Sequence, residues 1–271
     1  MTTKLILAGC GNMGFAMLSG WIGSGKLATS ECLVVEPNAE LRARAAKLGV
    51  TVAESAEAIG PDAHPDIVVL AVKPQVIRDV TASYRRFGDG TTTFVSVAAG
   101  TPVATFTEIL GSRTPVLRCM PNTPASIGKG MMVTFASPHV SESVKSTIGD
   151  LLSASGAVAS IDDEAQMDAV TAVSGSGPAY IFHFIECLTA AAKTAGLPED
   201  TAKLLAMQTV YGAACLAAEG GEDPATLRKQ VTSPNGTTAA ALDILMGENR
   251  LEKLIAEAVE AARKRSMELA K

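Results

Sequence analysis

The chain is short of the groups that acid–base and metal chemistry rely on. It has only three histidines, His64, His139 and His183. Two of them sit beside prolines in expected loops, and none shares metal-ligand spacing with another, so no metal site is expected. No Ser-His-Asp or Cys-His arrangement can be assembled. The five cysteines, at positions 10, 32, 119, 187 and 215, lie far apart and form no C-x-x-C pair. They read as reduced, mostly buried thiols of a cytoplasmic protein. Aromatic residues make up 4% of the chain against 47% hydrophobic residues. The core must therefore be built from Ala, Val, Leu, Ile and Met, which suits a parallel sheet covered by helices. No apolar run reaches the roughly 18 residues of a membrane span, and Leu5 to Ala8 is too short for the apolar core of a signal peptide. The net charge of −5 argues against nucleic acid or an acidic membrane as partner. Arg263-Lys264-Arg265 has acidic neighbours and reads as a solvated helix face.

What the sequence does contain is a glycine turn in the right place. Lys4 to Ala8 is an apolar run, Gly9-Cys10-Gly11-Asn12-Met13-Gly14 follows at once, and Phe15 to Ile22 reads as an amphipathic helix. This is G-x-G-x-x-G between a strand and a helix, and each glycine has a physical task. Gly9 permits the tight turn, Gly11 lets the backbone approach a pyrophosphate, and Gly14 lets the helix pack on the strand. The helix N-terminus then presents free N–H groups and its positive dipole end to the anion. Glu36 ends a second apolar run, Cys32 to Val35, roughly 20 residues further on, where an acid is expected to contact the ribose hydroxyl of a dinucleotide.

Strand and helix patterns go on alternating. Strands are expected at Cys32–Glu36, Asp66–Val72, Thr92–Ala98, Val116–Met120, Met131–Phe135 and Ala157–Ile161. Helical patterns fill the intervals. Asp66 to Val72 is continuously apolar, as a strand buried on both faces should be. Such alternation means a doubly wound parallel sheet. The character changes near Asp162, after which helices alone are expected, at 178–195, 198–219, 224–231, 237–246 and 249–270. The expected architecture is α/β: a dinucleotide-binding domain over residues 1–161, then an all-helical domain over 162–271 for substrate binding and dimerisation. Alanine-rich helix faces in the second part, such as Ala190-Ala191-Ala192 and Ala239-Ala240-Ala241, permit close approach of helices within the subunit or from a second subunit.

In doubly wound sheets ligands lie at the carboxyl ends of the strands. Four places qualify: the glycine turn with Ala8, Ala71-Val72-Lys73-Pro74, Val97-Ala98-Ala99-Gly100, and Met120 to Pro124. Their small residues let a flat ring come close to the backbone. In the helical part, Ser174-Gly175-Ser176-Gly177-Pro178 reads as a loop with free donors ahead of a helix. Thr232-Ser233-Pro234-Asn235-Gly236-Thr237-Thr238 reads the same way. Two hydroxyl-rich helix N-termini suit a substrate with a carboxylate. The missing acid–base set points the same way, because a carbonyl reductase needs a strong proton donor. An imine can bind already protonated, and a hydroxyl such as that of Thr238 is enough to orient it.

These residues resemble the pyrroline-5-carboxylate reductase family. The matching stretches are G-x-G-N-M-G (9–14), A-V-K-P-Q (71–75), V-A-A-G (97–100) and R-C-M-P-N-T-P (118–124) in the first part. In the second they are D-A-V-T-A-V-S-G-S-G-P-A-Y (168–180) and L-R-K-Q-V-T-S-P-N-G-T-T-A-A-A-L (227–242). The resemblance implies a Rossmann-type first domain and hydride transfer from NADPH or NADH to the C=N carbon of 1-pyrroline-5-carboxylate, giving L-proline. It implies that Gly236, Thr237 and Thr238 hold the substrate carboxylate in the Ser233–Thr238 loop. It gives Thr238 the hydrogen bond to the ring nitrogen and puts Glu164 and Ser176 near the pocket. It also implies a homodimer through the helical domain, which in the family is often built into decamers.

The chain departs from the family pattern twice. Asn235 stands where a glycine is usual, and Asn tolerates the left-handed backbone. Glu36-Pro37-Asn38 replaces the small polar or basic residues common in members that favour NADPH. A carboxylate there accepts from a 2′-hydroxyl and repels a 2′-phosphate, which leans towards NADH; Arg42 and Arg44 are near enough in sequence to offset it. Two other classes compete. One is a two-domain reductase of another cyclic imine or of a hydroxyacid; a β-hydroxyacid dehydrogenase would need a catalytic lysine, and Lys193 and Lys203, the lysines on the first two long helices, lack the expected surroundings. A dinucleotide sensor without turnover would have no use for a carboxylate pocket.

Overall fold

Short apolar runs at regular spacing become the strands of one sheet. In the computed structural model, which describes residues 3–269, the order is β1 (Leu5–Ala8), α1 (Asn12–Gly23), β2 (Cys32–Val35), α2 (Ala39–Ala46), β3 (Thr51–Ala53), β4 (Ile67–Leu70), α3 (Ile77–Ser83), β5 (Thr93–Ser96) and α4 (Val103–Leu110). Next come β6 (Val116–Met120), β7 (Gly130–Ala136), α5 (Glu142–Ser153) and β8 (Gly156–Ser160). The strands lie in the order β3-β2-β1-β4-β5-β6-β7-β8. β1, β2, β4 and β5 are buried throughout, which is why β1, β2 and β4 read as continuous apolar runs rather than alternating ones.

Two departures from the expected sheet have simple causes. β3 pairs in parallel with β2 at the sheet edge, yet it has three residues and an exposed Thr51, too short for any periodicity to show. β7 pairs antiparallel with β6. The connection between them holds a 3₁₀ turn, Thr123–Ile127, and no crossover helix. A parallel pairing needs a crossover of a dozen or more residues. β7 to β8 has one in α5, and that pair is parallel.

The rest of the chain is helical: α6 (Met167–Val170), α7 (Gly177–Thr194), α8 (Glu199–Glu219), α9 (Pro224–Gln230), α10 (Thr237–Met246) and α11 (Arg250–Leu269). Ser174-Gly175-Ser176 does not form the expected loop. Thr171–Gly175 is a π-helical turn, and the Ser176 N–H donates to the Thr171 carbonyl at 2.8 Å. One extra residue in the turn keeps that donor paired inside a helical path, where a loop would have left it free.

The chain divides into two compact units, Met1–Ser176 with Ala262–Lys271, and Gly177–Ala261. The first holds two apolar clusters, one on each face of the sheet. Trp21, Met17 and Leu152 belong to one, and Phe94, Phe106 and Tyr84 to the other. All are almost fully buried, each contributing roughly 1.5–3 kcal/mol. The end of α11 belongs to this unit: Ser266 is buried and its hydroxyl donates to Asp168 Oδ1 at 2.6 Å. The second unit is different. Its buried apolar residues are Ala202 and Ala206. Phe182, Leu204, Tyr211, Ile244 and Leu254 are all more than half exposed.

Candidate active site

Pairing register decides what stands on the carboxyl edge of the sheet. Ala8 pairs with Val35 on one side and Leu70 on the other, and Leu70 pairs with Ser96. The residues that follow these strand ends, Gly9, Glu36, Ala71 and Val97, are therefore neighbours along one edge. The expected cofactor residues of all four segments, from Ala8 through Gly14, Glu36, Ala71 to Pro74 and Val97 to Ala99, are brought together there.

The glycine turn fits a pyrophosphate on direct geometric grounds. Gly9 has φ +90, a left-handed conformation that disfavours other residues. A side chain on Gly14 would put Cβ 2.4 Å from the Gly9 carbonyl oxygen, so α1 approaches β1 only because that residue is glycine. Gly11 is the opposite case: a Cβ there meets nothing within 4 Å and would project into open space beside the turn. Gly11 is also the N-cap of α1, with no side-chain cap and no acid in the first turn. The first N–H groups of α1 are left for an anion.

The β2–α2 segment holds this turn from outside. Glu36 is 6% exposed. Its Oε2 accepts from the Cys10 N–H at 2.7 Å, and its Oε1 accepts from the Asn38 N–H at 2.9 Å. Asn38 in turn caps α2 by accepting from the N–H groups of Glu40 and Leu41. Arg42 donates to the carbonyls of Glu36 and Pro37 at 2.7 and 2.8 Å and lies 3.6 Å from Glu54. Arg44 donates to the carbonyls of Cys10 and Gly11 at 2.9 and 3.2 Å, with its guanidinium 4.1 Å from the centroid of the Phe15 ring. Burial pushes the Cys10 thiol up to about 11; Arg44 opposes this shift and Glu36 adds to it. The turn therefore carries no thiolate at neutral pH.

Beside this edge, the carboxyl end of β6 meets the π turn. Asn122 donates to the Ser174 carbonyl at 3.2 Å and to its hydroxyl at 3.4 Å, and accepts from the Met131 N–H at 2.8 Å. A Cβ on Gly175 would lie 2.6 Å from Met120 Cε. Asn122 stood inside a quoted motif without a role, and its bridge to Ser174 has no local sequence signal. Glu164 is half-buried; its Oε1 accepts from Arg118 at 2.9 Å and from the Val103 N–H at 2.7 Å. It thereby ties β6 to the start of α4. Lys73 is exposed and precedes the 3₁₀ turn Pro74–Val76.

In the second unit the Ser233–Thr238 segment forms the expected turn. The Gly236 N–H donates to the Ser233 carbonyl at 3.0 Å, and Asn235 has φ 58, so asparagine takes the left-handed position as expected. α10 starts at Thr237 with Gly236 as its N-cap and no side-chain cap. Thr238 is half-buried and Thr237 exposed. Among the described residues no group of three or more His, Cys, Asp or Glu side chains is arranged to hold a metal ion, and no helix is long and apolar enough to cross a membrane.

Comparison with known proteins agrees with this geometry. Residues 164–269 match the family model described as pyrroline-5-carboxylate reductase dimerisation, and residues 4–100 match NADP oxidoreductase coenzyme F420-dependent. A pyrroline-5-carboxylate reductase of Pseudomonas aeruginosa is 42% identical over 271 residues, 99% of this chain and 97% of the relative. The structure of a pyrroline-5-carboxylate reductase from Coxiella burnetii superposes with a TM-score of 0.93 at 34% identity, covering 100% of both chains. That of Plasmodium falciparum pyrroline carboxylate reductase with NADP bound does so with 0.85 at 28% identity, covering 99% of this chain and 98% of the other. With the dinucleotide turn, the capless Gly236-Thr237-Thr238 helix start and relatives matching over nearly their whole length, the chain belongs to the pyrroline-5-carboxylate reductase family.

Proposed function

We propose that this protein reduces 1-pyrroline-5-carboxylate to L-proline with a nicotinamide cofactor, the closing step of proline synthesis. The observation that carries the reading is the pairing of an open, capless glycine turn with a second capless helix start at Gly236-Thr237-Thr238. One fits a pyrophosphate and the other a small carboxylate. Ala8 through Gly14, Glu36, Ala71 to Pro74 and Val97 to Ala99 hold the dinucleotide. Bound NADH or NADPH supplies the hydride that adds to the C=N carbon. Gly236 and Thr237 hold the substrate carboxylate through N–H groups at the start of α10, with Ser233 shaping the turn. The Thr238 hydroxyl hydrogen-bonds the ring nitrogen, orienting the imine and keeping a proton there as the C=N bond becomes C–N. The family resemblance assigns Glu164, which holds Arg118, and Ser176 to substrate binding as well.

Residues 1–161 are assigned to the cofactor and 162–271 to substrate and association. Homodimerisation through the helical part is supported by the apolar side chains the second unit leaves exposed, among them Phe182, Leu204 and Leu254. A patch of this kind marks a protein interface; assembly of dimers into a decamer is the family's larger form. The five free cysteines support a cytoplasmic setting. NADH is the favoured cofactor. Glu36 sits buried at the end of β2, and both nearby arginines are engaged with backbone carbonyls, which weakens the offset they could give to a 2′-phosphate.

The test is absorbance at 340 nm with 1-pyrroline-5-carboxylate and either cofactor. Substrate-dependent oxidation, faster with NADH, is expected. A protein that binds NADH yet leaves the imine unreduced defeats the reading.

A further inference from the structure

We propose that Arg44 is a positioning residue for the cofactor's pyrophosphate. It would act by clamping the outer carbonyls of the glycine turn and by placing a positive charge beside it. This rests on the reading that the turn holds a dinucleotide. In a planar trans peptide the C=O and N–H point in opposite directions. Arg44 holds the carbonyls of Cys10 and Gly11 from one side. The partner N–H groups in those two peptides, on Gly11 and Asn12, are then aimed to the other side, where Gly11 leaves open space. Glu36 takes the Cys10 N–H, so three polar groups of the turn are fixed by two side chains of the β2–α2 segment. Two of them belong to Arg44.

The charge of Arg44 is also unusual in its surroundings. Arg42 has Glu54 within ion-pair distance, whereas Arg44 has carbonyls and the Phe15 ring as its partners and no carboxylate among the described residues. Stacking on Phe15, itself a residue of α1, fixes the plane of the guanidinium. A cation held to the turn by carbonyls rather than by a carboxylate adds to the dipole's preference for an anion in front of the helix. Both dinucleotides share the pyrophosphate, so Arg44 acts on affinity for either and leaves the choice between them to Glu36.

Arg44→Met removes the charge and the nitrogen that donates to both carbonyls while keeping an apolar stem on Phe15. Its Kd for NADH and for NADPH is expected to rise about tenfold, close to 1.4 kcal/mol, with kcat at saturating cofactor held. The inhibition constant of inorganic pyrophosphate, competing with NADH, rises in parallel, and that of adenosine does not. Arg44→Lys keeps the charge without the planar group that stacks on Phe15 and lies between, roughly threefold from wild type. Unchanged pyrophosphate inhibition overturns the proposal. So does an equal loss for adenosine and pyrophosphate, which is what a generally loosened turn gives. Should the methionine variant not fold, the lysine variant decides by the same pyrophosphate-to-adenosine comparison. Because these are binding measurements, failure to reduce the imine defeats the proposed function and leaves Arg44's role to be judged by pyrophosphate alone.

Discussion

Gly11 and Gly14 are three residues apart in one motif, yet alanine should do opposite things at the two sites. At Gly14 the new Cβ falls 2.4 Å from the Gly9 carbonyl oxygen and 3.3 Å from Ala71 Cβ. The first contact is about 1 Å too short for carbon and oxygen, and it is with backbone, so α1 must shift against β1. Overpacking of this kind costs on the order of 2–3 kcal/mol. At about 2–4 °C per kcal/mol for a chain of this size, the melting temperature should fall by roughly 5–10 °C. At Gly11 the Cβ meets nothing within 4 Å and the backbone has φ −61 and ψ −164, which alanine adopts freely. Reduced freedom of the unfolded chain stabilises by about 0.4–1 kcal/mol. The poorer N-cap costs a few tenths or somewhat more, leaving a net change near zero. Cofactor binding reverses the ranking. The Gly11→Ala methyl occupies space that a pyrophosphate needs, and affinity for NADH should drop by more than tenfold, above about 1.4 kcal/mol. The assays are a thermal melt without ligand and a fluorescence titration with NADH. A Gly11→Ala protein of native affinity, or one destabilised as much as Gly14→Ala, refutes the assignment of separate tasks to the two glycines.

Three further outcomes can be checked. Thr238→Ala should lower turnover strongly while NADH affinity, read by the same titration, stays near native; unchanged turnover removes Thr238 from the chemistry. Glu36→Ser should move the ratio of specificity constants towards NADPH. It should also destabilise by roughly 2–4 kcal/mol, because the N–H groups of Cys10 and Asn38 lose their acceptor in a largely buried place. An unaltered ratio means Glu36 serves the turn alone. Burial raises the thiols of Cys10, Cys32 and Cys119 from 9.0 to about 11, 12 and 12. Raised folded values mean their share of stability is whole below pH 9 and is lost as pH climbs towards 11–12. The melting temperature should therefore decline across that window, and Cys32→Ala should lessen the decline; a slope unchanged by the substitution excludes Cys32 as a contributor.

How far the sequence foretold this molecule depends on whether a feature is settled within a few residues or by partners distant in the chain. The β1–turn–α1 unit is local: an apolar run, three glycines at fixed spacing and a helix, all within Lys4 to Ile22, and it was legible in full. The left-handed Asn235 was legible for the same reason, since its side chain tolerates that conformation wherever the chain goes. β3 was not, because Thr51–Ala53 is fixed as a strand by pairing with β2 rather than by any pattern of its own. Nor was the π turn. What demands glycine at position 175 is Met120, and what holds Ser174 is Asn122, both from another strand end. Arg44 was legible only as a charge able to offset Glu36; its place on the carbonyls of the glycine turn comes from folding.

Glu36 shows how both levels can hold for one side chain. Its spacing from the turn assigned it to the ribose, and the fold gives it two backbone donors, one on each oxygen. A carboxylate has about four lone-pair sites, so two remain after those bonds are made. The same bonds fix the group's direction, at the carboxyl edge beside Gly9 and Ala71. If the ribose binds as proposed, its hydroxyl would meet an acceptor already oriented and already desolvated, at little further cost in side-chain freedom. On the same reading a 2′-phosphate would meet this carboxylate with no freedom to turn away. On the proposed assignment of Glu36 to the ribose, rigidity supplied by the turn would sharpen the discrimination that charge alone makes, and a substitution at Glu36 should then change stability and cofactor preference together.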